Sequence, residues 1–99
     1  MDKLYTEISE ISKGFKVTPE RGLCKLMEET GELAQSVNKT IGFKGPIKPI
    51  DEVRHEIVEE SADVIQNVFC VASLYGITYQ EIVDALTEKN QKWINVYKK

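Results

Sequence analysis

The sequence predicts an all-α fold, a four-helix bundle completed by oligomerisation. Apolar residues recur at helical spacing in four separate stretches. Nowhere do Val, Ile and aromatic residues alternate with polar ones over the length of a strand. Residues that cap or break helices separate the four stretches. With no internal repeat or low-complexity tract, residues 1–99 read as a single domain.

The first helix is expected over about residues 2–13, with Leu4, Ile8 and Ile11 on one face and Gly14 as a stop. The second opens at Thr18-Pro19-Glu20, an N-cap, a proline at the first helical position and an acidic first turn. It continues to about residue 38. Residues 39–50, KTIGFKGPIKPI, hold two Gly, two Pro and three Lys and read as a loop. Asp51 caps a third helix that reaches about residue 75, where Gly76 ends it. Thr78 caps a fourth, running to about residue 97, with Glu81 three positions on as in a capping box.

The third helix carries the most detail. At 100° per residue, Ile57, Val64, Val68, Val71 and Tyr75 form one apolar stripe. A second stripe beside it holds Val58, Ala62, Ile65, Phe69 and Ala72, while His55, Glu59, Gln66 and Ser73 lie on the polar side. Glu56, Glu60, Asp63 and Asn67 border the apolar face, and that row runs on into Cys70 and Leu74. An acidic row continuing into apolar positions is not an ordinary solvated face. From Ala62 to Ile77 the helix is apolar almost all round, which predicts more packing partners than one short chain supplies.

A chain of 11.3 kDa buries only about 60–65% of the surface its unfolded form exposes, and oligomerisation is one remedy. The 41% apolar and 29% charged fractions are those of a globular protein. Thirteen Lys and Arg against sixteen Asp and Glu give a net charge of −3. Without a basic block, such a chain is a poor non-specific partner for nucleic acid or an anionic membrane. It can still hold a polyphosphate through a metal ion, which inverts the local charge. No apolar run approaches a membrane span, and the first fifteen residues mix charge with apolar groups unlike a signal peptide. Cys24 and Cys70 are isolated, as reduced structural thiols are. A cytoplasmic protein is expected.

The chemistry is expected from two acidic pairs. On the second helix Glu29 and Glu32 stand at i and i+3, sharing a stripe with Lys25 and Ser36 beside the core positions Leu26, Leu33, Ala34 and Val37. Glu60 and Asp63 repeat the spacing on the third helix. Antiparallel packing of the two faces would bring four carboxylates within a few ångströms, costly without protons or a cation. All-oxygen ligands suit Mg²⁺ first, then Mn²⁺ or Ca²⁺. Either pair alone reads as surface decoration; two matched pairs beside apolar stripes do not.

The string Leu26-Met27-Glu28-Glu29-Thr30-Gly31-Glu32-Leu33-Ala34, followed by Glu59-Glu60-Ser61-Ala62-Asp63-Val64-Ile65, resembles the EExxE…ExxD signature of the MazG-like nucleotide pyrophosphohydrolases. That superfamily includes dimeric dUTPases and phosphoribosyl-ATP pyrophosphohydrolases. The resemblance spans about residues 19–93, with residues 33–59 between the two halves of the motif. It implies that Glu29, Glu32, Glu60 and Asp63 bind Mg²⁺. It also implies water attack on the α-phosphorus of a nucleoside triphosphate, a non-standard or deoxy one, releasing the monophosphate and pyrophosphate. Catalytic roles then fall to Glu29 and Glu28, although Glu28 reads equally as the solvent-facing neighbour of Glu29. Lys25 and Asn67 are the expected substrate contacts near the motif. Lys89, Asn90 and Lys92 match the stretch that such proteins present on the last helix, without the Arg that often follows the Asn. Lys44 and Lys48 are placed to reach phosphate from the loop or simply to keep it soluble. A homodimer or homotetramer is implied.

Three other classes compete. A ferritin-like di-iron protein needs two ExxH motifs, and this chain has one His, His55. A non-catalytic helical adaptor retaining the fold would be favoured by loss of a ligand, and all four are present. A helix-turn-helix regulator lacks its basic recognition helix.

Overall fold

The computed structural model describes residues 1–98, and among these there are four α-helices and no strand. They are α1 (Asp2–Gly14), α2 (Pro19–Ile41), α3 (Ile50–Leu74) and α4 (Tyr79–Tyr97). Thr18 caps α2 by accepting a hydrogen bond from the Arg21 amide, with Pro19 at the start of the helix. Thr78 and Glu81 form the expected capping box on α4, each side chain accepting the other's backbone N–H.

Two boundaries differ from the sequence expectation. Helix α2 runs to Ile41, taking Lys39 with it, and stops at Gly42 in the left-handed conformation (φ 71°). A Cβ at Gly42 would also stand 2.6 Å from Ile47 Cγ1, so glycine both ends the helix and lets the following loop fold back. Helix α3 starts at Ile50 after Pro49, and Asp51 lies in its first turn with no side-chain cap bond, favouring the helix by charge alone.

Helices α2 and α3 form an antiparallel pair. Gly22 meets Val71 at one end, and Lys39 pairs with Glu56 at 2.9 Å at the other. Helix α1 lies across α3, but on a different face from the one its periodicity suggested. Tyr5 and Ser12 are buried, whereas Leu4 and Ile11 are exposed. Polar contacts explain the rotation: the Tyr5 hydroxyl donates to the Ile77 carbonyl, and Ser12 Oγ bonds Ile8 O at 2.7 Å and Cys70 Sγ at 3.0 Å. The Tyr5 ring stacks edge-on against Phe69 and touches Tyr79.

This core is thin. Its buried apolar residues are Tyr5, Val53 and Phe69, and α4 buries none of its residues. The radius of gyration, 16.3 Å, exceeds the roughly 13 Å of a compact 100-residue domain. Among the described residues, Tyr79 at its first position ties α4 to the aromatic cluster, Ile82 and Val83 are half-buried, and the helix is exposed from Asp84 onward.

Candidate active site

Opposed faces of α2 and α3 bring the acidic pairs together. Carboxylate oxygens of Glu29, Glu60 and Asp63 lie within 4.8 Å of one another, as do those of Glu28, Glu29 and Glu32. Glu29 belongs to both groups and is only 5% exposed, while Glu32, Glu60 and Asp63 are half-buried. The i, i+3 spacing creates this arrangement because each helix turns one pair of carboxylates toward the other helix.

The electrostatics of the cluster are unresolved by the chain's own groups. Lys25 Nζ lies 3.1 Å from Glu29 Oε1 and 3.7 Å from Glu28 Oε2. That ammonium holds the Glu29 carboxyl below its ordinary pKa, and Glu29 in turn raises that of Lys25. Glu60 has no such partner. Burial first, then Glu29 and Glu32, push it up to about 7. Burial and the Glu29 charge also raise Asp63. Glu29 Oε2 and Glu60 Oε2 are buried with no hydrogen-bond partner among the described residues. Buried carboxylate oxygens without donors are rare because each costs its desolvation free energy. A proton satisfies one of them, and a cation satisfies both.

Any metal binding at this cluster would therefore depend on pH. Glu60 favours its protonated form in the folded chain more than in the unfolded one, so its contribution to metal-free stability is complete below about pH 4.5 and is lost as pH rises through about 7. A divalent cation binding there must displace that proton. Mg²⁺ should therefore raise the melting temperature more at about pH 8 than at about pH 6, with affinity falling up to tenfold per pH unit below 7. Melts across that range check it; a pH-independent Mg²⁺ shift would count against metal binding at Glu60.

Among the other expected site residues, Lys25, Glu28 and Asn67 line a cavity of about 630 Å³ beside the cluster. The Asn67 amide donates to the Asp63 carbonyl at 2.8 Å, leaving its oxygen for another donor. Phe15, Lys16 and Arg21 also line this cavity. Their role was not evident from the sequence, although Arg21, Lys25 and Glu28 share one flank of α2 at spacings of four and three. Lys16 in particular takes a left-handed backbone (φ 53°) at the α1–α2 turn, which periodicity cannot reveal. Lys89, Asn90 and Lys92 are not brought to the cluster or to this cavity. They are exposed on α4, and Lys92 lies 3.7 Å from Glu88.

Comparison with known proteins fits this arrangement. A protein of Bacillus subtilis (strain 168), "Uncharacterized protein YvdC", is 38% identical over 71 residues, covering 68% of this chain and 67% of its own length. No solved structure matches. Residues 17–94, which include both acidic pairs and the cavity's α2 and α3 walls, match the MazG nucleotide pyrophosphohydrolase domain. On that match, the chain belongs to the MazG nucleotide pyrophosphohydrolase family.

Proposed function

We propose that this protein hydrolyses a nucleoside triphosphate, a non-standard or deoxy one, to its monophosphate and pyrophosphate in the cytoplasm. Catalysis would use Mg²⁺, or Mn²⁺ in its place, held by Glu29, Glu32, Glu60 and Asp63. The observation that carries this reading is the pair of buried, partnerless oxygens on Glu29 and Glu60 inside an all-oxygen cluster. Hard divalent cations fit that donor set, and an uncharged helical adaptor surface would have no use for it.

Each residue has a chemical part. Bound at the cluster, the ion would neutralise the triphosphate and lower the pKa of coordinated water. Lys25 keeps Glu29 ionised and turned toward the cluster. Glu28 is exposed beside it, where a carboxylate can take the proton of the attacking water and pass it to solvent. Asn67 and Lys25 face the larger cavity and contact substrate there. Lys89, Asn90 and Lys92 project from α4, so they reach substrate only if a second copy presents them. We read the protein as a homodimer or homotetramer.

A panel of ribo- and deoxyribonucleoside triphosphates with Mg²⁺, scored for pyrophosphate against orthophosphate, tests the activity. Pyrophosphate release that EDTA abolishes and excess Mg²⁺ or Mn²⁺ restores is the expected result. Silence across the panel would favour the adaptor, and full turnover in EDTA would remove the metal from the account.

A further inference from the structure

Two cavities lie along the same flank of α2, one on each side of the carboxylates. The larger one, about 630 Å³, takes its α2 wall from residues between Glu20 and Glu28. The smaller one, about 250 Å³, takes its wall from Gln35, Asn38 and Lys39 and is closed by Lys44, Gly45, Pro46 and Lys48 of the α2–α3 loop. Lys25, Glu29, Glu32, Ser36 and Lys39 follow one another at helical spacing on this stripe. Lys25 and Lys39 are each seven residues from Glu32, or about 10 Å along the axis.

The two cavities differ in size and charge. The larger falls within the roughly 300–1,000 Å³ typical of small-molecule sites, and the smaller falls below it. Residues 39–48 contain three lysines and no acidic residue, in a chain whose net charge is −3. Lys39 is engaged by Glu56, at 2.9 and 3.0 Å from its two oxygens. Lys44 and Lys48 make no ion pair with a carboxylate among the described residues; Lys44 Nζ lies 5.9 Å from the Phe43 ring centroid. The loop carrying them is held to α2: the Lys48 amide donates to the Lys39 carbonyl at 2.9 Å, and Ile47 packs over Gly42.

Building on the pyrophosphohydrolase reading, we propose that Lys44 and Lys48, aided by Lys39, bind the β- and γ-phosphates that leave as pyrophosphate. The triphosphate then lies along α2 with its α-phosphorus at the carboxylates and its nucleoside toward the larger cavity. Water oxygen bonds to the α-phosphorus as the bond to the α–β bridging oxygen breaks. The electron pair of that bond departs on pyrophosphate, and the water's proton goes to a carboxylate and on to solvent. Two ammonium groups beside the departing phosphates stabilise the charge that develops there, which positions and activates the leaving group.

Calorimetric titration with inorganic pyrophosphate in Mg²⁺ buffer, and separately with the monophosphate of whichever nucleotide is turned over, tests this polarity. Lys44→Glu/Lys48→Glu should weaken pyrophosphate binding at least about tenfold, as expected for one lost charge-assisted contact. Monophosphate binding should stay within about twofold, and Lys44→Gln/Lys48→Gln should show a smaller loss of the same kind. Both lysines are exposed, and circular dichroism would verify that the variants are folded. Unchanged pyrophosphate affinity in Lys44→Glu/Lys48→Glu, beside a wild type that hydrolyses nucleotides, would overturn the loop site alone. If Lys16→Glu/Arg21→Glu weakens pyrophosphate binding instead, the substrate runs the opposite way and the proposal falls. A wild type that neither hydrolyses any triphosphate nor binds pyrophosphate would remove the enzymatic reading as well.

Discussion

Glu60→Gln is expected to abolish pyrophosphate release while leaving the metal-free protein as stable as the wild type, or slightly more so. The two effects have one origin. Glu60 sits against Glu29 and Glu32, with one oxygen buried and unpartnered, and these surroundings push its pKa up to about 7. A neutral amide at this position removes like-charge repulsion from the metal-free cluster. It also removes an anionic ligand, and the loss of rate should exceed the roughly 10–100-fold that follows from losing a group merely supporting a metal ligand. Mg²⁺ stabilisation, about 2.7 kcal/mol at a hundred times the dissociation constant, should largely disappear. Asp63→Asn should behave alike. Glu59→Gln is the control, since Glu59 is exposed, lies 2.9 Å from His55 Nε2 and belongs to neither carboxylate group. Melts with and without Mg²⁺ beside a pyrophosphate assay separate the cases. A Glu60→Gln protein that keeps its activity and its Mg²⁺ shift refutes the site.

Much of the fold and the centre of the site are legible in the sequence, for local reasons. Thr18-Pro19 and Thr78 with Glu81 act within one helical turn, so their roles follow from neighbouring residues alone. The acidic pairs are legible because i, i+3 spacing sets a common direction, whatever packs against it. What the sequence left open depends on non-local partners. The buried face of α1 is set by Tyr5 and Ser12, whose polar groups find Ile77 and Cys70 far along the chain, and the apolar periodicity of Leu4 and Ile11 is overridden. Likewise the larger cavity needs the α1–α2 turn, α2 and α3 together, and Lys16 enters it through a backbone conformation that its side chain does not announce. The residues of α4 could be assigned to a helix but not to a neighbour, since the chain itself provides almost none.

That missing neighbour leads to the second large effect: the protein should have a solution mass at least twice 11.3 kDa. Its accessible surface is 7801 Å². A compact monomer of this mass exposes about 5,700 Å², so roughly 2,100 Å² per chain is in excess. Burying that amount on each of two copies would give an interface in the 2,000–5,000 Å² range of obligate dimers. The excess is apolar in character. Val58, Ile65 and Val68 lie exposed on α3, and α4 exposes Leu86, Ile94 and Val96, with Trp93 at 78% and Tyr97 at 90%. Exposed apolar area on two elements of one small chain marks an interaction face. The all-round apolar character of α3 beyond Ala62 would then have a physical reason: one side packs on α1 and α2, and a second copy would cover the other. Ile65→Asp places a charge on that face and should lower the mass to 11.3 kDa with a marked loss of thermal stability, since each chain would depend on its thin core. Light scattering and circular dichroism at micromolar concentration decide the matter. A folded wild-type chain scattering as a single copy would overturn the assembly.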